Sequence, residues 1–381
     1  MENHKSVIFA ISSLSGGGAE RVVVTLINSW KNNRFRPVLL VAKKAGPYLS
    51  DILPGIDIVS VDIDLYASKT LEVVKRLRCI FRELQPAVVF SHLSGMNRMI
   101  MRAKKLKAFD APVVVVEHNN FYKTVNGRGR SSFMQMLLKK EMSWLYRSAD
   151  AIVGVSSGVS ESVQQSLMLP STTNITTVYN PINRNLIQGK IQQQPAIPFA
   201  KEFLDLPKPI IISIGRLVKQ KGFDDLISAF AALPDYQRGS LVILGEGILE
   251  EELKSLAIKL NIGSNCHLPG FVSNPWWFMA RSDLFVSSSY WEGFPMSVLE
   301  AIACQIPIVS TDCPYGVNEI IEDGHNGRLV AVGNISQLSL AIQEALSNKT
   351  VSQLWAKRGI SALDKFQPEF INDCYLKLVN L

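Results

Sequence analysis

The sequence predicts an α/β protein of two domains, each a doubly wound parallel sheet, the two facing each other across a cleft. Three observations carry this expectation. Short runs rich in β-branched residues alternate with helix-period segments along the whole chain. The alternation stops in a stretch rich in proline and glutamine, 180–209, and then restarts. The chain has 381 residues, more than a single core usually serves.

In the first half, strands are predicted at Val7–Ser12, Val38–Ala42, Ile56–Val61, Ala87–Ser91, Pro112–Glu117, Ala151–Val155 and Asn174–Tyr179. Helices are predicted at Ala19–Trp30, Leu71–Leu84, Met96–Phe109, Ser132–Arg147 and from the serine-capped run SSGVSESVQQ. Leu71, Val74, Leu77, Ile80, Phe81 and Leu84 mark one helical face. The unbroken VVVV before Glu117 reads as a strand buried on both faces. Pro181, Pro195, Pro198, Pro207 and Pro209 make 181–207 a linker between domains at 1–180 and 208–367. Beyond it come strands at Ile210–Ile214, Ser240–Leu244, Cys266–Leu268, Leu284–Ser287, Ile308–Ser310 and Arg328–Val330. Helices are predicted at Phe223–Ala231, Glu250–Leu260, Trp276–Ala280 (one turn), Pro295–Cys304 and near Asn318–Ile321, with further helical patterns to the end. In the Pro295 helix, Val298, Leu299, Ala301 and Ile302 form the apolar face, and proline suits a first helical position.

Composition narrows the class. The chain is 47% hydrophobic and 19% charged, as in soluble globular proteins, and no apolar run approaches the roughly 18 residues of a membrane span. The opening MENHKSVIFAISSLSGGG breaks at serines and glycines and reads as a first strand, not a secretion signal. Five scattered cysteines without Cys-x-x-Cys, and five unclustered histidines, argue against a zinc site or disulfide framework and for a reducing, cytoplasmic compartment. Residues 1–180 hold 23 Lys and Arg against 13 Asp and Glu, a balance of +10, and the remainder carries −3. A basic first half fits an anionic partner: nucleic acid, anionic lipid or a phosphate-linked substrate.

The motifs fall where doubly wound sheets place their sites, at the carboxyl ends of strands. Ser15–Arg21 (SGGGAER) offers backbone N–H groups of Gly17 and Gly18 at a helix start, although the same glycines serve a plain turn. It lacks the Gly-Lys-Ser/Thr of a P-loop, and Arg21 stands where a dinucleotide fingerprint needs its third glycine. Glu117-His118-Asn119 ends a buried strand, with His118 free to donate to a hydroxyl or to be satisfied by loop backbone. Gly215–Gly222 (GRLVKQKG) puts Arg216 and Lys221 after a strand, a fork and a point charge suited to a diphosphate, or else a solvated basic loop. Gly245 in GEG and Phe271 in PGFVSNP are candidates for shaping a pocket or contacting a base; a simple turn and a core phenylalanine are the alternatives. Glu292 and Glu300, seven residues apart in EGFPMSVLE, bracket a helix start whose N–H groups, near Ser297 and Val298, favour an anion. Phosphate donors flanked by hydroxyl acceptors match a nucleotide sugar. Asp62-Ile63-Asp64 reads as a solvated strand end, and no metal is inferred. Met96–Phe109 and Gly127–Trp144 mix cations with Met, Leu, Phe and Trp, as helices on anionic bilayers do and as ordinary sheet-covering helices also do.

Taken together and in this order, GGGAER, GRLVKQKG, EGFPMSVLE and Thr311–Val330 (TDCPYGVNEIIEDGHNGRLV) make the chain resemble the family-4 retaining glycosyltransferases of GT-B fold, over nearly its full length. The resemblance implies two Rossmann-like domains, the first for the acceptor and the second for a nucleotide sugar, with the last helix, 368–381, crossing back onto the first. It implies Arg216 and Lys221 on the diphosphate, Glu300 on the ribose, Glu292 on the transferred sugar, His118 near the reacting centre, and Gly17 and Gly18 near diphosphate or acceptor. It implies retention without a cofactor or metal, a UDP-hexose or UDP-N-acetylhexosamine donor, a glycan or polyprenyl-diphosphate acceptor, no nucleic acid, and work at the cytoplasmic face of a membrane. Other readings are an epimerase or hydrolase of the same fold, a non-enzymatic binding module, and an NAD oxidoreductase, the last disfavoured by its incomplete glycine pattern.

Overall fold

In the computed structural model, residues 5–32, 34–63, 70–121 and 131–380 are described. The chain forms two compact units. One is Met1–Pro181 with Phe366–Leu381; the other is Ile182–Lys365. Asp64 and residues 127–130, with Arg128 and Arg130, lie outside the described residues.

The first unit is built on seven parallel strands: β1 (Ser6–Ile11), β2 (Arg36–Val41), β3 (Asp57–Ser60), β4 (Pro86–His92), β5 (Val113–Glu117), β6 (Ala151–Gly154) and β7 (Ile175–Thr177), in spatial order 3-2-1-4-5-6-7. Val7–Ile11 and Val113–Val116 have no exposed side-chain surface, because helices cover both sheet faces. Helices Gly18–Asn28, Thr70–Leu84, Ser94–Lys105, Ser132–Tyr146 and Ser157–Leu167 follow strands. Pro368–Lys377 joins this unit. Asn372 Nδ2 donates to Leu26 O at 3.1 Å and to Ser29 Oγ at 3.0 Å, and the buried Tyr375 ring meets Phe90 edge-on at 5.2 Å.

The second unit has six parallel strands: β8 (Ile210–Ile214), β9 (Ser240–Leu244), β10 (Cys266–His267), β11 (Leu284–Ser287), β12 (Ile308–Thr311) and β13 (Arg328–Val330), ordered 10-9-8-11-12-13. Ile211, Leu241, Val286, Phe230, Ile342 and Trp355 belong to its core. Counted from the first strand of each unit, both sheets run 3-2-1-4-5-6. The order reverses between β1 and β4, and again between β8 and β11. A crevice opens at such a reversal, because the connections on its two sides leave in opposite directions.

Two expectations need correction. Residues 181–207 are not a bare linker, because they fold onto the second unit. Helix Arg184–Ile191, the turn Phe199–Glu202 and the 3-10 turn Phe203–Asp205 bury Ile187, Ala200 and Phe203. Gln188 Nε2 donates to Ala303 O at 2.7 Å, and Asn274 Nδ2 to Lys190 O and Gln193 O at 2.9 and 2.8 Å. The prolines begin and separate helices here; the spaced apolar residues make the attachment. Asn318–Ile321 is a string of turns, not a helix. Asn326 accepts from Glu322 N at 2.8 Å and donates to Ile320 O at 3.0 Å, which diverts the chain after a single turn.

Candidate active site

In the second unit the loops after β8 and β11 flank the reversal point and are stitched together. Tyr290 N donates to Gln220 O at 2.8 Å, Gln220 Nε2 to Trp291 O at 2.9 Å, and Ser288 Oγ to Lys221 O at 2.9 Å. Gly222 makes this approach possible. It has φ +59, and a Cβ there would lie 2.2 Å from Ser288 O. The stitched loops carry an ion pair. Lys221 Nζ lies 2.6 Å from Glu292 Oε1, with the side chains 18% and 8% exposed. Ser289 Oγ donates to the same Oε1 at 2.6 Å, and Thr311 Oγ1 fixes Ser289 by donating to its carbonyl at 2.6 Å. The Lys221 stem runs over Gly215, where a Cβ would stand 3.0 Å from Cε. Arg216 is exposed beside it.

Gly245, after β9, has φ +143, and its Cα faces Gly215 O so closely that a Cβ would sit 2.0 Å from that oxygen. Its role is therefore to let the β8 and β9 loops touch. Phe271 follows β10 with its ring at the surface, 36% exposed, so it is not core; its N–H donates to Glu246 Oε1 at 3.3 Å. Helix Met296–Ala303 begins at Pro295, which is its N-cap and not its first residue, and no side chain caps it. The N–H groups of Met296 and Ser297 thus precede the first intrahelical bond. Val298 is a poorer candidate than its position promised: its side chain is fully buried and its N–H donates to Pro295 O at 3.1 Å. Glu300 is buried in the second turn of the same helix, 4% exposed.

In the first unit, Gly17 is the N-cap of helix Gly18–Asn28, again without a side-chain cap. Arg21 turns back to the Tyr48 hydroxyl at 2.5 Å, and Tyr48 OH donates to Gly16 O at 3.3 Å. At the end of β5, Glu117 and His118 point to opposite faces. The Glu117 carboxylate accepts from Ser94 Oγ at 2.8 Å, from Asn97 Nδ2 at 3.0 Å and from Tyr146 OH. Burial pushes its pKa up, and those three hydrogen bonds pull it partly back. This cluster ties helices Ser94–Lys105 and Ser132–Tyr146 to the sheet. His118, 6% exposed, meets His92 of β4, with His118 Nε2 at 2.9 Å from His92 Nδ1. Burial lowers the His118 pKa to about 3.

Sequence reasoning missed His92, Asn97 and Tyr146. A signal for His92 was present, since AVVFSH and VVVVEH both end apolar strands on histidine. Of the two basic helices, Ser94–Lys105 has no free amphipathic face. Met96, Met99, Ile100, Met101 and Ala103 are buried, and Arg98 and Arg102 both pair with Glu141. Helix Ser132–Tyr146 differs, with Phe133, Met134, Met136, Leu137 and Trp144 exposed and Lys105 Nζ 4.8 Å from the Trp144 ring centroid.

Comparison with known proteins supplies a second line of evidence. Residues 16–186 match the family described as Glycosyltransferase Family 4, and residues 197–361 match Glycosyl transferases group 1. The chain is 30% identical over 378 residues to the N-acetylgalactosamine-N,N'-diacetylbacillosaminyl-diphospho-undecaprenol 4-alpha-N-acetylgalactosaminyltransferase of Campylobacter jejuni, covering 93% of this chain and 94% of that one. It is 29% identical to the lipopolysaccharide 1,6-galactosyltransferase of Salmonella typhimurium over 213 residues, 54% of this chain and 55% of that protein. Among solved structures, HepE of Anabaena in complex with UDP-glucose superposes with TM-score 0.81 at 18% identity, covering 99% of this chain and all of that one (100%). That last likeness shows the fold.

Proposed function

Because the chain belongs to the group 1 glycosyltransferases, we propose that it moves a hexose or N-acetylhexosamine from UDP, with retention, to a glycan or polyprenyl-diphosphate-linked acceptor in glycan assembly. The observation that carries the reading is the Lys221–Glu292 pair of 2.6 Å across the β8/β11 reversal, with Arg216 exposed on the same loop after β8. As the sugar–phosphate bond breaks, charge grows on the leaving diphosphate. The Lys221 ammonium, the Arg216 guanidinium and the first N–H groups of helix Met296–Ala303 are preorganised donors for that charge, so no metal need carry it. Glu292, its Oε1 held by Lys221 and Ser289, offers an acceptor for hydroxyls of the transferred sugar, and Glu300 an acceptor for the ribose. His118 is assigned a substrate oxygen, the role that the family resemblance implies for it. Attack takes place from the face that the diphosphate leaves, and the leaving phosphate oxygen takes the acceptor proton.

The acceptor assignment draws on the named reaction of the Campylobacter relative, which is written for a diphospho-undecaprenol substrate. The exposed Phe133, Met134, Met136, Leu137 and Trp144 beside Lys139 and Lys140 are the groups that would rest on an anionic bilayer carrying such a lipid. A donor panel tests the reading, assayed with and without a polyprenyl-diphosphate glycan, in EDTA and in magnesium. Nucleotide release that requires acceptor, survives EDTA and yields a retained anomeric configuration is the expected result. Release without acceptor would move the assignment to a hydrolase or epimerase.

A further inference from the structure

β4 ends on His92, a buried histidine that carries none of the roles assigned to Lys221, Arg216, Glu292, Glu300 or His118. β4 and β5 pair in parallel with His92 opposite Val116. Residues two apart share a sheet face, so His118 falls on the face of His92 while Glu117 points away. The ring centroids are 5.2 Å apart, and the contact joins His92 Nδ1 to His118 Nε2 at 2.9 Å. Both rings are buried, at 0% and 6% exposure, and burial keeps both neutral.

A neutral imidazole has one N–H, and one proton occupies the nitrogen–nitrogen contact. Two arrangements are then possible. In one, His92 Nδ1–H donates and the proton of His118 sits on Nδ1. In the other, His118 Nε2–H donates and the proton of His92 sits on Nε2. Neither His118 Nδ1 nor His92 Nε2 has a hydrogen-bond partner among the described residues. Each arrangement therefore strands one N–H, and the surroundings decide which. His92 is enclosed by the Phe9 ring, stacked at 6.4 Å and 19°, and by the Tyr375 ring at 6.4 Å. An N–H stranded among aromatic carbons is the costlier orphan. His118 stands past the end of β5 and is 6% exposed as a residue; its Nδ1 is buried without a partner among the described residues, an orphan that a substrate oxygen reaching the strand end would satisfy.

We infer that His92 is a positioning residue, donating from Nδ1 to His118 Nε2 and thereby keeping His118 protonated at Nδ1 as a hydrogen-bond donor to a hydroxyl or phosphate oxygen of the substrate. The inference rests on the reading of His118 as a substrate-contacting residue, and the experiment separates the two. In full-length protein labelled with ¹⁵N at histidine, the His118 ring shifts, assigned by their loss in His118→Asn, are expected to show a protonated Nδ1 and a bare Nε2. The reverse tautomer overturns the inference without any variant of His92. Kinetically, His92→Phe is expected to lower kcat about 10- to 100-fold, the scale of losing a group that orients a working imidazole, with KM for the nucleotide sugar unchanged. His92→Asn, whose amide can still donate to Nε2, is expected to recover most of that loss. His92→Phe/His118→Ala should be no slower than His118→Ala; additive losses would overturn the positioning role. A fully active His118→Ala sinks the reading of His118 itself, and the ring shifts then still decide the His92 pairing.

Discussion

Replacing Lys221 with methionine keeps the length of the side chain and deletes its charge. It leaves Glu292, 8% exposed in its side chain, with Ser289 Oγ at 2.6 Å as the other donor to Oε1. Removing one member of a buried ion pair costs about 3–5 kcal/mol. The surviving Ser289 bond and the 18% exposure of Lys221 bring this down to about 2–3 kcal/mol. For a unit the size of Ile182–Lys365 that is a fall of roughly 5–10 °C in its unfolding transition. Lys221→Met/Glu292→Gln removes the stranded charge and keeps an amide for Ser289, so roughly half or more of the lost stability should return. Turnover should behave in the opposite way. Lys221→Met loses about 10²-fold, the scale of one donor to a developing anion, and the double variant recovers none of it. Urea unfolding followed by tryptophan fluorescence, beside a transfer assay, measures both. If Glu292→Gln leaves the cost of Lys221→Met undiminished, the two side chains are not an electrostatic unit and the reasoning is wrong.

Three further outcomes follow from the same geometry. Arg216→Ala should cut turnover by about 10²-fold while leaving the unfolding transition in place, because the side chain is exposed. Gly245→Ala puts a methyl 2.0 Å from Gly215 O at φ +143, so it should raise KM for the nucleotide sugar by prising the β8 and β9 loops apart, and a wild-type KM would refute that role. Glu117→Gln tests the buried cluster by pH. The folded-state pKa of Glu117 is raised, so the unfolded chain ionises first as pH rises from below about 4.5, and stability then falls until the folded pKa is passed. The glutamine can accept from Tyr146 and Asn97 and donate to Ser94 Oγ. It should therefore gain stability relative to wild type as pH rises above about 4.5 in urea melts, whereas a difference that does not change with pH would remove Glu117 as the titrating group.

The fold was legible because a parallel sheet covered on both faces announces its strands as unbroken apolar runs. Val113–Val116, Ile210–Ile212 and Leu284–Val286 needed no partner to be recognised. Sites in such sheets gather at strand ends, so Arg216, Lys221, Glu292 and His118 stand out as candidates, the polar residues that follow strands. Two places misled. Prolines in 181–207 looked like a connector because composition was read ahead of Ile187, Ala200 and Phe203, whose burial shows only once the surface they cover exists. Val298 looked available because helix starts offer N–H groups, but a local bond to Pro295 O takes this one.

The sequence by itself determined the alternation, the strand ends and the chemistry carried there, since each depends on neighbours within a few residues. Only the tertiary structure decided that Lys221 is held by Glu292, that His92 meets His118, and that Pro368–Lys377 belongs with the first unit. Periodicity tells which face of an element is apolar, but not which surface covers it. Those pairings join residues 26 to 346 positions apart, and strand order and register, which no local pattern encodes, bring them within hydrogen-bonding distance.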